Sequence, residues 1–349
     1  MNSKKIAEEA YIDRDLSWMY FNRRILLEAA KPQVPLLERL SFLGIYSNNL
    51  DEFFRVRMAT LSRIAECEDK SLRPEREHAK QLIRQINKLN NKYSREYEHA
   101  IREVTRQLCE ENICLLKEDE LDREQREFVC GFYRQRLSGF VSPVWLSAVR
   151  QLTDETDENI YLGIKMKVPG KKSFDYALIA LPVAECGRFV RLPDKEGKSF
   201  LMYLDDVIRY CLPMIFSGLD YEGFEAYAFK FTKDAEMEID NDLRNGMLQK
   251  ISKGVKSRKK GDALRVIYDA GMPKDLLKRV MNKLNLDKLD TVLGGGRYHN
   301  HKDLMSFPDC GRKDLKYPAW EPVIKPELNG GRSLLKLIQQ GDSCIHVPY

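Results

Sequence analysis

The sequence predicts a multidomain chain, a helical bundle followed by an α+β domain. Three observations predict it. The 349 residues exceed the roughly 150 of one ordinary domain. Apolar residues recur at steps of three and four through the first third. After residue 115 the apolar pattern changes to period-two runs broken by Gly and Pro, interspersed with helical patterns. Hydrophobic residues make up 43% and charged residues 32%, a globular balance with enough apolar content for real cores. No apolar run approaches the ~20 residues that cross a bilayer. Met1 to Glu9 lacks the apolar stretch of a secretory signal. A membrane-spanning protein, a secreted disulfide scaffold and a disordered tail are thereby excluded, and the expected compartment is cytoplasmic.

Leu16, Met19, Ile25, Leu26 and Ala29 predict a first helix, ended by Pro32 and Pro35. Leu36, Leu37, Leu40 and Leu43 start a second, which Gly44 and the polar Ser47-Asn48-Asn49 interrupt. Phe53, Phe54, Met58, Leu61 and Ile64 predict a third. Pro74 precedes the longest pattern: Leu82, Ile86, Leu89, Tyr93, Tyr97, Ile101, Val104 and Leu108. One face is apolar there for about 30 residues, or about 45 Å at 1.5 Å per residue. A helix of that length needs partners, hence the bundle.

Residues 120–137 still read as helix, with acids clustered at its start. Tyr161–Val168, Asp175–Leu181 and Arg188–Leu192 are strand candidates. Residues 205–216 read as helix and Tyr221–Phe231 as an aromatic-rich strand. Lys233–Lys256 reads as a long helix ending in Lys256-Ser-Arg-Lys-Lys-Gly261. Ala263–Tyr268 is a further strand, and Pro273–Leu284 a helix with Pro at its first turn. Pro318, Pro322 and Pro326 space a connector, Leu334–Ile338 suggests a short helix, and Ser343–Val347 is strand-like. The expected limits are 1–115 for the helical part, 116–316 for the α+β part and 317–349 for a connector and the start of a third domain.

The net charge of +5 hides an uneven distribution. Residues 117–249 carry a net charge of −6, and residues 250–313 carry +9. A local basic excess attracts polyanions by counterion release; a solvated helix end and loop is the reading expected from charge alone. The eight cysteines contain no C-x-x-C pair, so reduced, mostly buried thiols are expected.

Three motifs could carry chemistry. Asn49 with Glu52 three residues later fits a capping box, Asn replacing Ser or Thr. The structural reading is a helix start. The functional one uses the same N–H donors and dipole for a nucleotide or phosphate, with the Asn amide on an adenine edge. Gly294-Gly-Gly-Arg-Tyr-His-Asn-His-Lys-Asp303 could cradle phosphate, with Arg297 and Lys302 adding charge. It is not the Walker pattern, and an interdomain turn fits it too. His299, His301 and Asp303 would share a face on a strand, as metal ligands do. With no further ligand near except Cys310, exposed loop polarity is the expected reading, and no metal site is expected. His78 and His99 should be surface residues of the long helix, and His346 has no visible partner. Nucleophile elbows, Rossmann fingerprints and kinase motifs are absent.

Tyr11-Ile-Asp-Arg-Asp-Leu-Ser-Trp-Met-Tyr-Phe-Asn22 and Pro35-Leu-Leu-Glu-Arg-Leu-Ser-Phe-Leu-Gly-Ile-Tyr-Ser-Asn-Asn-Leu-Asp-Glu-Phe-Phe-Arg-Val-Arg57 closely resemble the start of type 1 polyphosphate kinases. Thr232-Lys-Asp-Ala-Glu236 and Gly295–Asp303 resemble later segments of that family. The resemblance implies an N-terminal helical domain, a dimerising head domain and two phospholipase-D-like catalytic domains. It implies transfer of the ATP γ-phosphate, through a phosphohistidine and with Mg²⁺, to a growing polyphosphate chain. It places the adenine contact on Asn49. The phosphorylated histidine and the metal-binding residues belong to the catalytic domains, so none is carried onto His299, His301 or His346. These 349 residues are thus expected to be catalytically inactive, and to read as the N-terminal half of such an enzyme. The expected partners are ATP, polyphosphate and a second copy, in a homodimer or homotetramer, with no nucleic acid. Peripheral attachment at the inner membrane is a further expectation from the family. A natural non-catalytic module that binds polyanions or a partner protein is the alternative.

Overall fold

The computed structural model describes residues 11–150, 152, 159–233, 263–284 and 291–319, with parts of 321–344. The expected helix over 233–256, its basic end and the strand-like run over 343–347 lie outside or mostly outside the described residues.

The helical part forms as its periodicity requires. Helix α1, Arg14–Ala29, starts where the Asp13 carboxylate accepts from the Asp15 N–H. Helix α2, Leu36–Phe53, passes through a wide turn at Phe54–Met58 directly into α3, Ala59–Glu66. Helix α4, Arg73–Glu110, has 38 residues with Pro74 in its first turn; it spans about 57 Å. Leu26, Leu40, Leu43, Phe54, Ile86, Val104 and Leu108 fill the core between these helices.

The expected break at Gly44 does not occur: α2 runs unbroken through Ser47, Asn48 and Asn49. Asn49 is therefore not a helix cap. Gly44 serves a close approach instead. A Cβ there would lie 2.7 Å from Met305 Cγ and 2.9 Å from the Met305 backbone nitrogen. The short 3₁₀ segment His301–Ser306 lies against α2 at this point, and Leu304 and Phe307 complete the helical core.

The thiols also depart from expectation. Cys109 at the end of α4 is disulfide-bonded to Cys114, across the turn into β1, Ile113–Leu116. Cys67 and Cys211 are free and buried.

The remainder is α+β. Helix α5, Arg123–Phe132, begins with a capping box between Asp122 and Gln125. Strands β2 (Val144–Trp145), β3 (Tyr161–Lys167) and β4 (Phe174–Ala180) follow. A single turn, α6 (Val183–Cys186), leads to β5 (Phe189–Arg191), β6 (Ser199–Tyr203) and α7 (Leu204–Ile215). Then come β7 (Gly223–Lys233), β8 (Ala263–Asp269), α8 (Lys274–Lys283), β9 (Thr291–Gly295) and α9 (Leu334–Gln340).

Six strands form one sheet in the order β2-β4-β3-β7-β8-β9, antiparallel except for the parallel β8–β9 pair. A small sheet, β1-β6-β5, joins the end of α4 to it through α7. The large sheet is buried on both faces. Leu162, Ile164 and Met166 face the α7 side. Tyr161, Phe229, Phe231 and Val266 face α8, with Leu276 and Val280. Gly163 in β3 makes room for that helix, its missing Cβ position lying 3.4 Å from Leu276.

Candidate functional site

Asn49 stands on the face of α2 turned to α1, in one of three successive side-chain pairs that cross from α1. The Arg57 guanidinium donates to Asp15 at 2.9 Å. Trp18 stacks on Phe53 with ring centroids 4.2 Å apart. The Asn49 side-chain amide donates to Asn22 Oδ1 at 3.3 Å, and Asn22 donates onward to the Tyr46 carbonyl. Asn22 is buried; Asn49 is half-buried at the edge.

The opposite face of α2 meets the sheet. Asp51 there accepts from two buried cations that the sequence alone did not flag: Lys230 of β7 at 2.7 Å and Arg265 of β8 at 2.9 Å. Lys230 also donates to Asn300 Oδ1 at 2.8 Å, and Arg265 lies over the Phe54 ring. Burial works against the Asp51 charge, but Lys230 and Arg265 outweigh it and hold its carboxyl below the usual range. One observable signal existed: each cation sits alone in an apolar strand run, Phe229-Lys-Phe231 and Leu264-Arg-Val266.

The glycine run is not a free loop. Gly294 and Gly295 end β9, paired with Tyr268 and Asp269. The Gly296 N–H donates to Glu98 of α4 at 2.8 Å, so a carboxylate already occupies the backbone donor that a phosphate would use. Arg297 gives its guanidinium to Asp206 and Glu118. Burial opposes its charge, but these two carboxylates hold its pKa above the ordinary value. Tyr298 donates to the same Asp206 and stacks on Tyr203 at 4.0 Å. Arg188, paired with Asp205, donates to the His299 carbonyl. Lys302 sits half-buried in the 3₁₀ segment. Arg297 is tied into a half-buried ion network with Asp206 and Glu118, and among the described residues no hydrogen bond joins it to Asn49.

The histidines correct a second expectation. His299 is 4% exposed rather than loop polarity, and His301 packs against Tyr97. The chain turns at Asn300 with φ 58°, so 299, 301 and 303 do not alternate along a strand. Burial pushes both imidazoles down to about 3, with nearby positive charge adding to it. Among the described residues, no group of three or more His, Cys, Asp or Glu could hold a metal ion. His78 and His99 are surface residues, as expected.

Between α2, α4 and strands β7–β9 lies a cavity of about 490 Å³. Ser47, Asp51, Glu98, Lys230 and Arg265 are among its walls; Asn49 is not.

Comparison with known proteins now bears on these features. Family models match two segments in order: the polyphosphate kinase N-terminal domain over residues 11–116, and the polyphosphate kinase middle domain over 124–307. The chain belongs to the polyphosphate kinase family. A polyphosphate kinase of Vibrio parahaemolyticus is 33% identical over 347 residues, covering 98% of this chain and 49% of that protein. That of Escherichia coli K12 is 34% identical over 313 residues, covering 88% and 45%. The crystal structure of polyphosphate kinase from Porphyromonas gingivalis superposes with a TM-score of 0.77 at 25% identity, covering 97% of this chain and 48% of that one. The chain thus spans about half the length of the polyphosphate kinases it matches. Its helical part followed by an α+β part is the arrangement of that structure. Among the described residues, no helix is long and apolar enough to cross a membrane.

Proposed function

We propose that these residues are the adenine-holding and dimerising half of an ATP–polyphosphate phosphotransferase. In this reading Asn49 receives the adenine edge of ATP at its half-buried position on the α1–α2 seam. Its Oδ1 has no partner among the described residues and can accept the 6-amino group. The γ-phosphate passes through a phosphohistidine to the polyphosphate chain on sequence outside these 349 residues, and the α+β domain pairs two copies. Lys302 is the phosphate contact left to the candidate pair, since Arg297 is engaged by Asp206 and Glu118. No magnesium-dependent step is assigned to these residues.

The observation that carries this reading is the ordered match of both family domains over 11–307, in relatives that are twice as long. ATP titrations of the 349-residue chain and its Asn49→Ala variant test it. Weak ATP binding that falls about tenfold in the variant, as for one lost hydrogen-bonded contact, is the expected result. ATP-dependent polyphosphate synthesis by the 349 residues alone overturns the division of labour. Undiminished binding by Asn49→Ala overturns the adenine assignment.

A further inference from the structure

We propose that the cavity between α2, α4 and the sheet is a second ligand site, which takes a small phosphate-bearing anion. It lies on the face of α2 opposite Asn49, so it does not rest on the adenine reading above.

Three side chains in its wall are almost fully buried and carry a polar atom with no hydrogen-bond partner among the described residues. They are Tyr46 Oη, Arg265 Nε and His299 Nε2, on residues 3%, 4% and 4% exposed. A buried donor or acceptor left unpaired is costly, and three converging on one cavity mark a place where a ligand completes them. Each comes from a different element: Tyr46 from α2, Arg265 from β8 and His299 from the turn after β9.

The charge balance selects an anion. Lys230 and Arg265 share the single carboxylate of Asp51, leaving one positive charge uncompensated in a buried site, where isolated charge is unfavourable. Arg95 and Arg102 of α4 also line the cavity, against Glu98. Its titratable lining therefore carries two positive charges in excess, since His299 and His301 stay neutral. A phosphate monoester carries about −1.5 to −2 charges at neutral pH and three strong acceptor oxygens. A carboxylate would leave one charge over and one donor idle. Arg265 Nε and the Tyr46 hydroxyl donate to phosphate oxygens. The unpaired His299 nitrogen suits a donor such as a protonated phosphate oxygen or a sugar hydroxyl.

At about 490 Å³ the cavity falls within the size range of ordinary small-molecule sites. It exceeds the needs of one orthophosphate. Tripolyphosphate and a nucleoside monophosphate share the required chemistry, and experiment separates them.

The test uses isothermal titration of the 349-residue chain with orthophosphate, tripolyphosphate and AMP. Tyr46→Phe is the decisive variant, because it deletes a hydroxyl with no hydrogen-bond partner among the described residues and should leave folding intact. The expected result is binding of at least one probe, weakened about tenfold by Tyr46→Phe and unchanged by Asn49→Ala. An Arg95→Gln/Arg102→Gln pair should weaken the same probe and flatten its salt dependence. Tighter binding of AMP than tripolyphosphate would identify a nucleotide site, and the reverse an inorganic one. Failure of all three probes to bind at 1 mM, or equal affinity in wild type and Tyr46→Phe, overturns the proposal. Loss of AMP binding in Asn49→Ala alone assigns it to the α1 face and overturns it for that ligand.

Discussion

Glu98 and Gly296 close the seam between the long helix and the sheet, the Gly296 N–H donating to Glu98 Oε1 at 2.8 Å across 198 residues of chain. A Cβ on residue 296 would lie 2.7 Å from the other carboxylate oxygen. The missing side chain leaves the room that this position of the carboxylate takes up.

Gly296→Ala should therefore displace Glu98 and cost about 1.5–3 kcal/mol, the worth of a hydrogen bond to a charged group. Urea denaturation measures it. The obstacle is a flexible side chain, so adding Glu98→Ala to the variant should leave little further loss. A large additional loss would show that Glu98 does more than meet Gly296.

Gly44→Ala should cost more than its neighbours suggest. In an ordinary helix interior the change gains up to about 1 kcal/mol. Here the new methyl meets the backbone nitrogen of Met305 at 2.9 Å as well as its side chain. A net loss of about 1–3 kcal/mol is expected from overpacking, and Met305→Ala should recover only part of it. A stabilised Gly44→Ala protein would contradict this packing.

Asp51→Asn should be among the most damaging single changes, about 3–5 kcal/mol, because it strands two buried cations. Its pH dependence supplies a second readout. The folded carboxyl titrates below its unfolded value, so its contribution is complete above about pH 4 and is lost as pH falls through the folded pKa. The variant should lack that part of the acid transition. Identical acid limbs in both proteins would rule out the ion triad.

His299 and His301 make the opposite kind of pH claim, at milder acidity. Their folded values, about 3, lie below the ordinary 6.5, so the unfolded chain binds more protons between these limits. Stability is complete above about pH 6.5 and falls on acidification, by up to about 1.4 kcal/mol per pH unit for each histidine. Replacing His301 by Phe, which keeps a ring against Tyr97, should flatten the profile between pH 6 and 4. NMR should show both imidazoles neutral at pH 5; a charged His299 signal there would refute their burial.

Much of this fold was legible in residue spacing. The apolar stripe from Leu82 to Leu108 is α4, and the period-two run from Tyr161 is β3, because helices and strands bury their faces at fixed periods. Gly44 and Ser47-Asn-Asn49 misled for a physical reason. Glycine and short polar residues end helices when the chain acts alone, but here Met305 needs the missing Cβ and Asn22 needs the Asn49 amide. The cavity was harder still. Asp51, Lys230 and Arg265 are 179 and 214 residues apart, and nothing local encodes their meeting. The Gly294–Asp303 motif stands out by its glycines and charges. Its Gly296 N–H is taken by the Glu98 carboxylate, His299 is buried, and His301 packs against Tyr97.

The contact of Gly44 with Met305 also sets a waiting time. A ribosome emits the helical segment first, yet Leu304 and Phe307 are needed to finish its core. Roughly 260 residues separate the two sides, and at ~5–20 residues per second that interval lasts tens of seconds. Throughout it the nascent bundle carries an open apolar groove along α2. Its integrity during biosynthesis then depends on what covers that groove until residue 307 arrives.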